Sequence, residues 1–183
     1  MTQILKMKEG QMQSIDVSDD SESVQAQQAF FSRHTFNNMT MIIQINNGFM
    51  HLAYNLLCSL RRLNPEFIKG IVLWTVDDKS LESLRTYKAD SFERAQMNPS
   101  LASFSGFGVY SFADAVVTSS FERGGSEKYN EMMGKRPKFF LHLLKTVKID
   151  FLFVDADNVF MRDPWFWIEG ESRLKLAQFS KHL

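Results

Sequence analysis

Apolar residues in this chain gather in short unbroken runs, separated by stretches where they recur every three or four positions. Met39 to Ile45 (MTMIIQI) is a β-branched and methionine-rich run that stops at the turn-forming trio Asn46-Asn47-Gly48, so it reads as a strand and a tight turn. From Phe49 to Leu63, the residues Leu52, Leu56, Leu57, Leu60 and Leu63 fall at helical intervals until Asn64-Pro65, where proline disfavours continuation. Gly70 to Val76 (GIVLWTV) is a second apolar run, ended by Asp77-Asp78, and Ser80 to Tyr87 again has helical spacing. Later, Pro137 suits a first helical position, and Phe140, Leu143, Leu144 and Val147 share one face of the helix it would start. Lys138, His142 and Lys145 fall on the opposite face, which reads as solvated. Ile149 to Val154 (IDFLFV) is the third strand, and its end delivers Asp155-Ala156-Asp157-Asn158. Arg162-Asp163-Pro164 then turns the chain into Trp165-Phe166-Trp167.

Strands separated by helices, each an apolar run without strict alternation, imply an α/β fold with a parallel sheet covered on both faces. The flanking segments are less regular. Residues from Met1 to about Ser18 mix Gln, Lys, Met and Ser without a sustained period and read as loose. The segment Ser18 to Glu22 offers capping side chains, and a short helix follows through Val24, Gln27, Phe30 and Phe31. Lys88 to Lys135 reads as a long, partly irregular excursion broken by Gly106, Gly108, Gly124 and Gly125, with brief strands at Val109 to Phe112 and Ala115 to Val117.

In open parallel sheets, ligands gather beyond the carboxyl ends of the strands, so topology selects the candidates: Asn46 and Asn47, Asp77 and Asp78, then Asp155 and Asp157. The last pair carries the most chemistry. Two carboxylates one residue apart, at the mouth of a buried strand, concentrate negative charge where hydration is limited, and a cation relieves that cost. Magnesium and manganese take oxygen ligands and commonly combine one or two carboxylates with the phosphates of a substrate. Taken alone, an Asp-x-Asp is more often one turn cap and one solvated side chain. Asp163 reads as structural because Asp-Pro readily begins a turn or helix, and Trp165 and Trp167 read as core residues.

Composition narrows the partners. The 183 residues, 44% of them hydrophobic, are enough for a sizeable core. Lysine plus arginine (21) balances aspartate plus glutamate (21), which removes the field expected of a non-specific nucleic-acid or anionic-membrane binder. The single cysteine, Cys58, forms no internal disulfide and supplies no structural zinc site alone. The first twenty residues contain no apolar run of signal-peptide or membrane-helix length; a chain cut from a longer precursor would look the same, so the compartment stays open.

Around the aspartate pair, KFFLHLLKTVKIDFLFVDADNVFMRDP combines a helix, an apolar strand, Asp-x-Asp, an apolar pair and Arg-Asp-Pro. With the strand ending in INNGF, the helix segment NLLCSLRRL and the strand ending in VDD, this block resembles the nucleotide-diphospho-sugar transferase family, glycosyltransferases of GT-A fold. The resemblance runs from about Met39 to Trp167. It implies a GT-A-like (Rossmann-like), mainly parallel sheet, with 1–38 a polar segment carrying a short helix and 39–183 the nucleotide-sugar-binding part. It further implies transfer of a sugar from a nucleotide-sugar donor to a glycan, protein or lipid acceptor, with a divalent metal, manganese before magnesium, on the Asp-x-Asp. Carried over, Asp157 binds metal directly and Asp155 binds the metal or the donor ribose. Asn46 and Asn47 meet the nucleotide, Lys138 meets the donor, and Asp77 is a weaker candidate. Members typically work in the Golgi lumen behind a membrane anchor. Only 26 residues follow Asp157, whereas the family has a further acceptor-binding half. The expectation is therefore a C-terminally incomplete domain, with His182 too close in sequence to be the late histidine ligand.

Two rival readings stand beside it. FLFVDADNV also fits haloacid-dehalogenase-like phosphatases, with Asp155 as nucleophile, Asp157 as acid/base and magnesium, but there the motif opens the domain. The other is an inactive nucleotide-sugar-binding protein.

Overall fold

The computed structural model describes residues 17–19, 22–97, 106–112 and 126–167. Its centre is a five-stranded, all-parallel sheet built from β1 (Val17–Asp19), β2 (Thr40–Ile45), β3 (Ile71–Thr75), β4 (Gly108–Ser111) and β5 (Phe151–Val154), in the spatial order β1-β4-β3-β2-β5. From β2 the chain steps outward to β3 and β4, then returns to place β5 on the other side of β2. The direction of winding therefore reverses between β2 and β5, the position at which open α/β sheets form a crevice.

Helices cover both faces. On one face, α2 (Met50–Leu63), the 3₁₀ segment Pro65–Gly70 and α3 (Asp78–Met97) pack through Leu56, Leu60, Phe67, Ile68 and Leu84 onto Met41, Ile43, Ile71, Leu73 and Val109. On the other, α1 (Val24–Arg33), α4 (Glu127–His142) and a π-helical turn, Leu143–Val147, bring Phe30, Phe31, Phe139, Leu143 and Val147 against Ile42, Val72, Trp74 and Tyr110. Alternate residues of each strand thus feed opposite layers, which is why the strands read as continuous apolar runs. Trp165, in the short helix α5 (Pro164–Trp167), is buried between Phe36 and Phe67.

Several expectations need correction. Val17 and Ser18, at the end of the segment expected to be loose, belong with Asp19 to a strand that pairs in parallel with Val109–Ser111. The supposed excursion after Lys88 contains the rest of α3 and the start of α4; the brief strand expected at Val109 to Phe112 is β4, one residue earlier at each end, and the one expected at 115–117 lies outside the described residues. Pro137 does not begin a helix. The helix begins ten residues earlier, where the Ser126 side chain accepts from the Tyr129 N–H, and Pro137 sits inside it. Proline supplies no N–H to the carbonyl four residues back, and beside that gap the Met132 carbonyl accepts from the Gln44 side chain at 3.3 Å. The π turn shifts the core face to Phe139, Leu143 and Val147 and leaves Leu144 exposed. His142, expected in solvent, turns inward: its Nε2 lies 2.7 Å from Gln27 Oε1, which also accepts from the Tyr110 hydroxyl at 3.0 Å.

Candidate functional site at the β2–β5 crevice

The crevice arises from unequal strand lengths. β5 stops pairing at Val154, opposite Ile43, whereas β2 continues to Ile45 beside β3. Gln44, Ile45 and Asn46 therefore flank a notch into which the chain after β5 delivers Asp155, Ala156 and Asp157. Phe49, Tyr129, Met132 and Arg136 complete a cleft of about 140 Å³. That is smaller than the roughly 300–1,000 Å³ of a small-molecule site.

Each wall has a local cause. Asn46 is buried, and its Oδ1 accepts from the Phe49 N–H at 3.1 Å, capping the 3₁₀ turn Asn47–Phe49 that leads into α2. Gln44 is the polar residue within the run Met41–Ile45 of β2. Its side chain bridges two elements, donating to the Met132 carbonyl and accepting from Arg136 Nε at 2.6 Å. Arg136 is thereby aimed at the aspartates: Nη2 lies 2.8 Å from Asp155 Oδ1, and the guanidinium rests 4.6 Å from the centre of the Phe153 ring. Its side chain is 18% exposed against 57% for Asp155, so the pair sits at the cleft mouth with the cation inward. After Asp155 the chain turns tightly, with the Asn158 N–H and side-chain amide both donating to the Asp155 carbonyl. Asp157 is exposed, and its carboxylate has no ion pair or hydrogen bond among the described residues.

Of the residues selected from the sequence, Asn46, Asp155 and Asp157 come together here. Asn47 and Asp77 meet one another beside the cleft: the Asn47 N–H donates to Asp77 Oδ2 at 2.9 Å, while Asp77 Oδ1 accepts from the Ser80 N–H at 3.0 Å and caps α3. Lys138 is exposed and does not line the cleft; two residues beyond Arg136 on a helix, it projects roughly 200° around the axis. Asp163 accepts from the N–H groups of Trp165 and Phe166, a helix-capping role. His182 lies outside the described residues. Arg136 and Gln44 were missed from sequence because a helix begun at Pro137 leaves Arg136 outside any element. The signal was Gln44 itself, a lone amide in a buried strand, which needs a partner.

A family model for nucleotide-diphospho-sugar transferases matches residues 67–174. The chain belongs to that family. The matched stretch takes in β3, α3, β4, α4, β5 and the Asp155-x-Asp157 turn, while β2 and Asn46 precede it. No curated protein and no solved structure matches the chain. Membership supports glycosyl transfer from a nucleotide-sugar donor, and the parallel α/β sheet is consistent with the family's Rossmann-like GT-A fold. Among the described residues, no helix is long and apolar enough to cross a membrane.

The donor set bears on the metal that the family implies. Among the described residues, no three His, Cys, Asp or Glu side chains gather around one point. Two carboxylates line one cleft, one of them retaining Oδ2 outside its ion pair and the other unpaired. All these donors are oxygen. That set fits a hard divalent ion completed by phosphate oxygens and water, as magnesium and manganese commonly are.

Proposed function

We propose that this protein binds the diphosphate of a nucleotide-sugar donor in the β2–β5 cleft, with a divalent metal on Asp155 and Asp157, in the service of glycosyl transfer. The observation that carries this reading is the convergence of both aspartates on one cleft at the topological switch point, beside an inward-facing arginine.

A bound divalent ion, manganese before magnesium, supplies Lewis-acid charge to the leaving nucleoside diphosphate. Asp157 would be the direct ligand, since no described residue engages its carboxylate. Asp155 contributes its remaining oxygen to the metal or to the donor ribose. Arg136 holds a permanent positive charge at the inner wall, where a planar guanidinium suits phosphate oxygens. Buried Asn46 fixes the turn that shapes the nucleotide side of the cleft. The phosphatase reading, with Asp155 attacking phosphorus, is less well supported: Asp155 is tied to a guanidinium and the family match is to transferases.

Differential scanning fluorimetry tests the proposal with Mn²⁺ and UDP or GDP. Manganese and a nucleoside diphosphate together are expected to raise Tm by more than either alone, as ligands that bind only the native state do. Asp157→Ala is expected to abolish that gain; an identical shift in the variant would refute metal-diphosphate binding through this residue.

A further inference from the structure

We infer that the fixed charge of Arg136 opposes metal entry and favours diphosphate entry, so that metal and diphosphate bind as a coupled pair. The inference rests on the metal-diphosphate reading of the cleft and adds a regulatory consequence to it.

The guanidinium is held from more than one side. Asp155 supplies one contact, at 2.8 Å, but Gln44 supplies another at 2.6 Å, and the Phe153 ring lies beneath the plane at 4.6 Å. Gln44 is buried and is itself held by the Met132 carbonyl. The guanidinium is therefore anchored independently of Asp155 and keeps its place when that carboxylate turns toward another cation. An arginine side chain this enclosed is screened far less than one on the open surface.

A metal entering alone meets a fixed like charge and competes with it for Asp155. A diphosphate entering alone meets Arg136 but also two carboxylates. When both enter, the anion lies between two cations, and each ligand removes the obstacle to the other. Coupling of this kind is reciprocal and typically amounts to a factor of 5–150 in affinity.

Opposite signs make the test decisive. The 183-residue chain carrying Arg136→Gln is titrated with Mn²⁺ alone, followed by electron paramagnetic resonance of the free ion, and with pyrophosphate alone in EDTA, followed by calorimetry. Relative to the native chain, Mn²⁺ affinity is expected to rise about 5- to 10-fold and pyrophosphate affinity to fall by a similar factor. Arg136→Lys retains the charge and is expected to restore both toward native values. A merely structural role for Arg136 would weaken both ligands together, and that result, or no change in either, overturns the inference. Arg136→Met, which keeps the stem over Phe153, serves if the Gln variant does not fold. A native chain that binds Mn²⁺ through Asp157, with affinity indifferent to Arg136, would leave the metal-diphosphate reading standing without this coupling. A native chain that binds neither Mn²⁺ nor pyrophosphate overturns both.

Discussion

At the scale of single residues, the functional and structural aspartates separate by what already occupies their oxygens. Asp77 has both engaged, one on the Asn47 N–H and one on the Ser80 N–H, as expected of a helix cap. Asp77→Ala is expected to cost about 1 kcal/mol, a drop of about 2–4 °C in Tm, while Mn²⁺ affinity stays at the native value; a parallel loss of metal binding would move Asp77 into the site. Gly108 illustrates a purely steric requirement. A Cβ there would stand 2.7 Å from the Phe30 ring and 2.9 Å from the His34 ring, both buried. Gly108→Ala is accordingly expected to destabilise by about 1–3 kcal/mol, measured by urea denaturation, because neither ring has room to retreat. The sequence shows this glycine as a break in pattern, yet its neighbours come from α1 and the residue that caps it, more than seventy positions away, and no local pattern reports that distance.

Among elements, strands were the most legible. Met39 to Ile45, Gly70 to Val76 and Ile149 to Val154 each contain the observed strand to within two residues at either end; in β2 and β3 every residue is buried, and β5, half-buried at the sheet edge, is apolar throughout. Helix α4 was the least legible. Its amino-terminal half, EKYNEMMGKR, is largely polar and its interior proline imitates a start, so the periodicity became visible only past Pro137. The metal-binding candidates were accessible from sequence, whereas Arg136 depended on that misplaced start. Helix packing also carries a pH signature. Tyr54 on α2 and Tyr87 on α3 lie with ring centres 4.8 Å apart, and burial, then the neighbouring Tyr87, raises the Tyr54 phenol above its ordinary value. The native state thus holds that proton more tightly than the unfolded chain. Its contribution to stability is whole below about pH 10 and is lost as pH climbs from there through the raised value. Stability measured from pH 8 to 11 should decline less steeply in Tyr54→Phe than in the native chain; equal slopes would show that the pair does not couple to folding.

Across the whole molecule, the winding of the sheet decides where chemistry gathers. β2 lies one strand in from the edge, bordered by β3 on one side and β5 on the other, although more than a hundred residues separate β2 from β5 in the chain. Asn46, Gln44, Arg136 and Asp155 meet only because of that return. Parallel order follows from alternating strands and helices, but which strand neighbours β2 does not, and this is why the aspartates could be chosen from sequence while their companions could not.

The notch between β2 and β5 is two residues deep, a quantity set by counting and not by side-chain shape. One residue added within 151–154 would rotate the aspartates onto the far side of the sheet, and two would restore their facing while filling the gap. Substitution can therefore tune this cleft gradually, whereas a change in segment length switches it between open, inverted and closed.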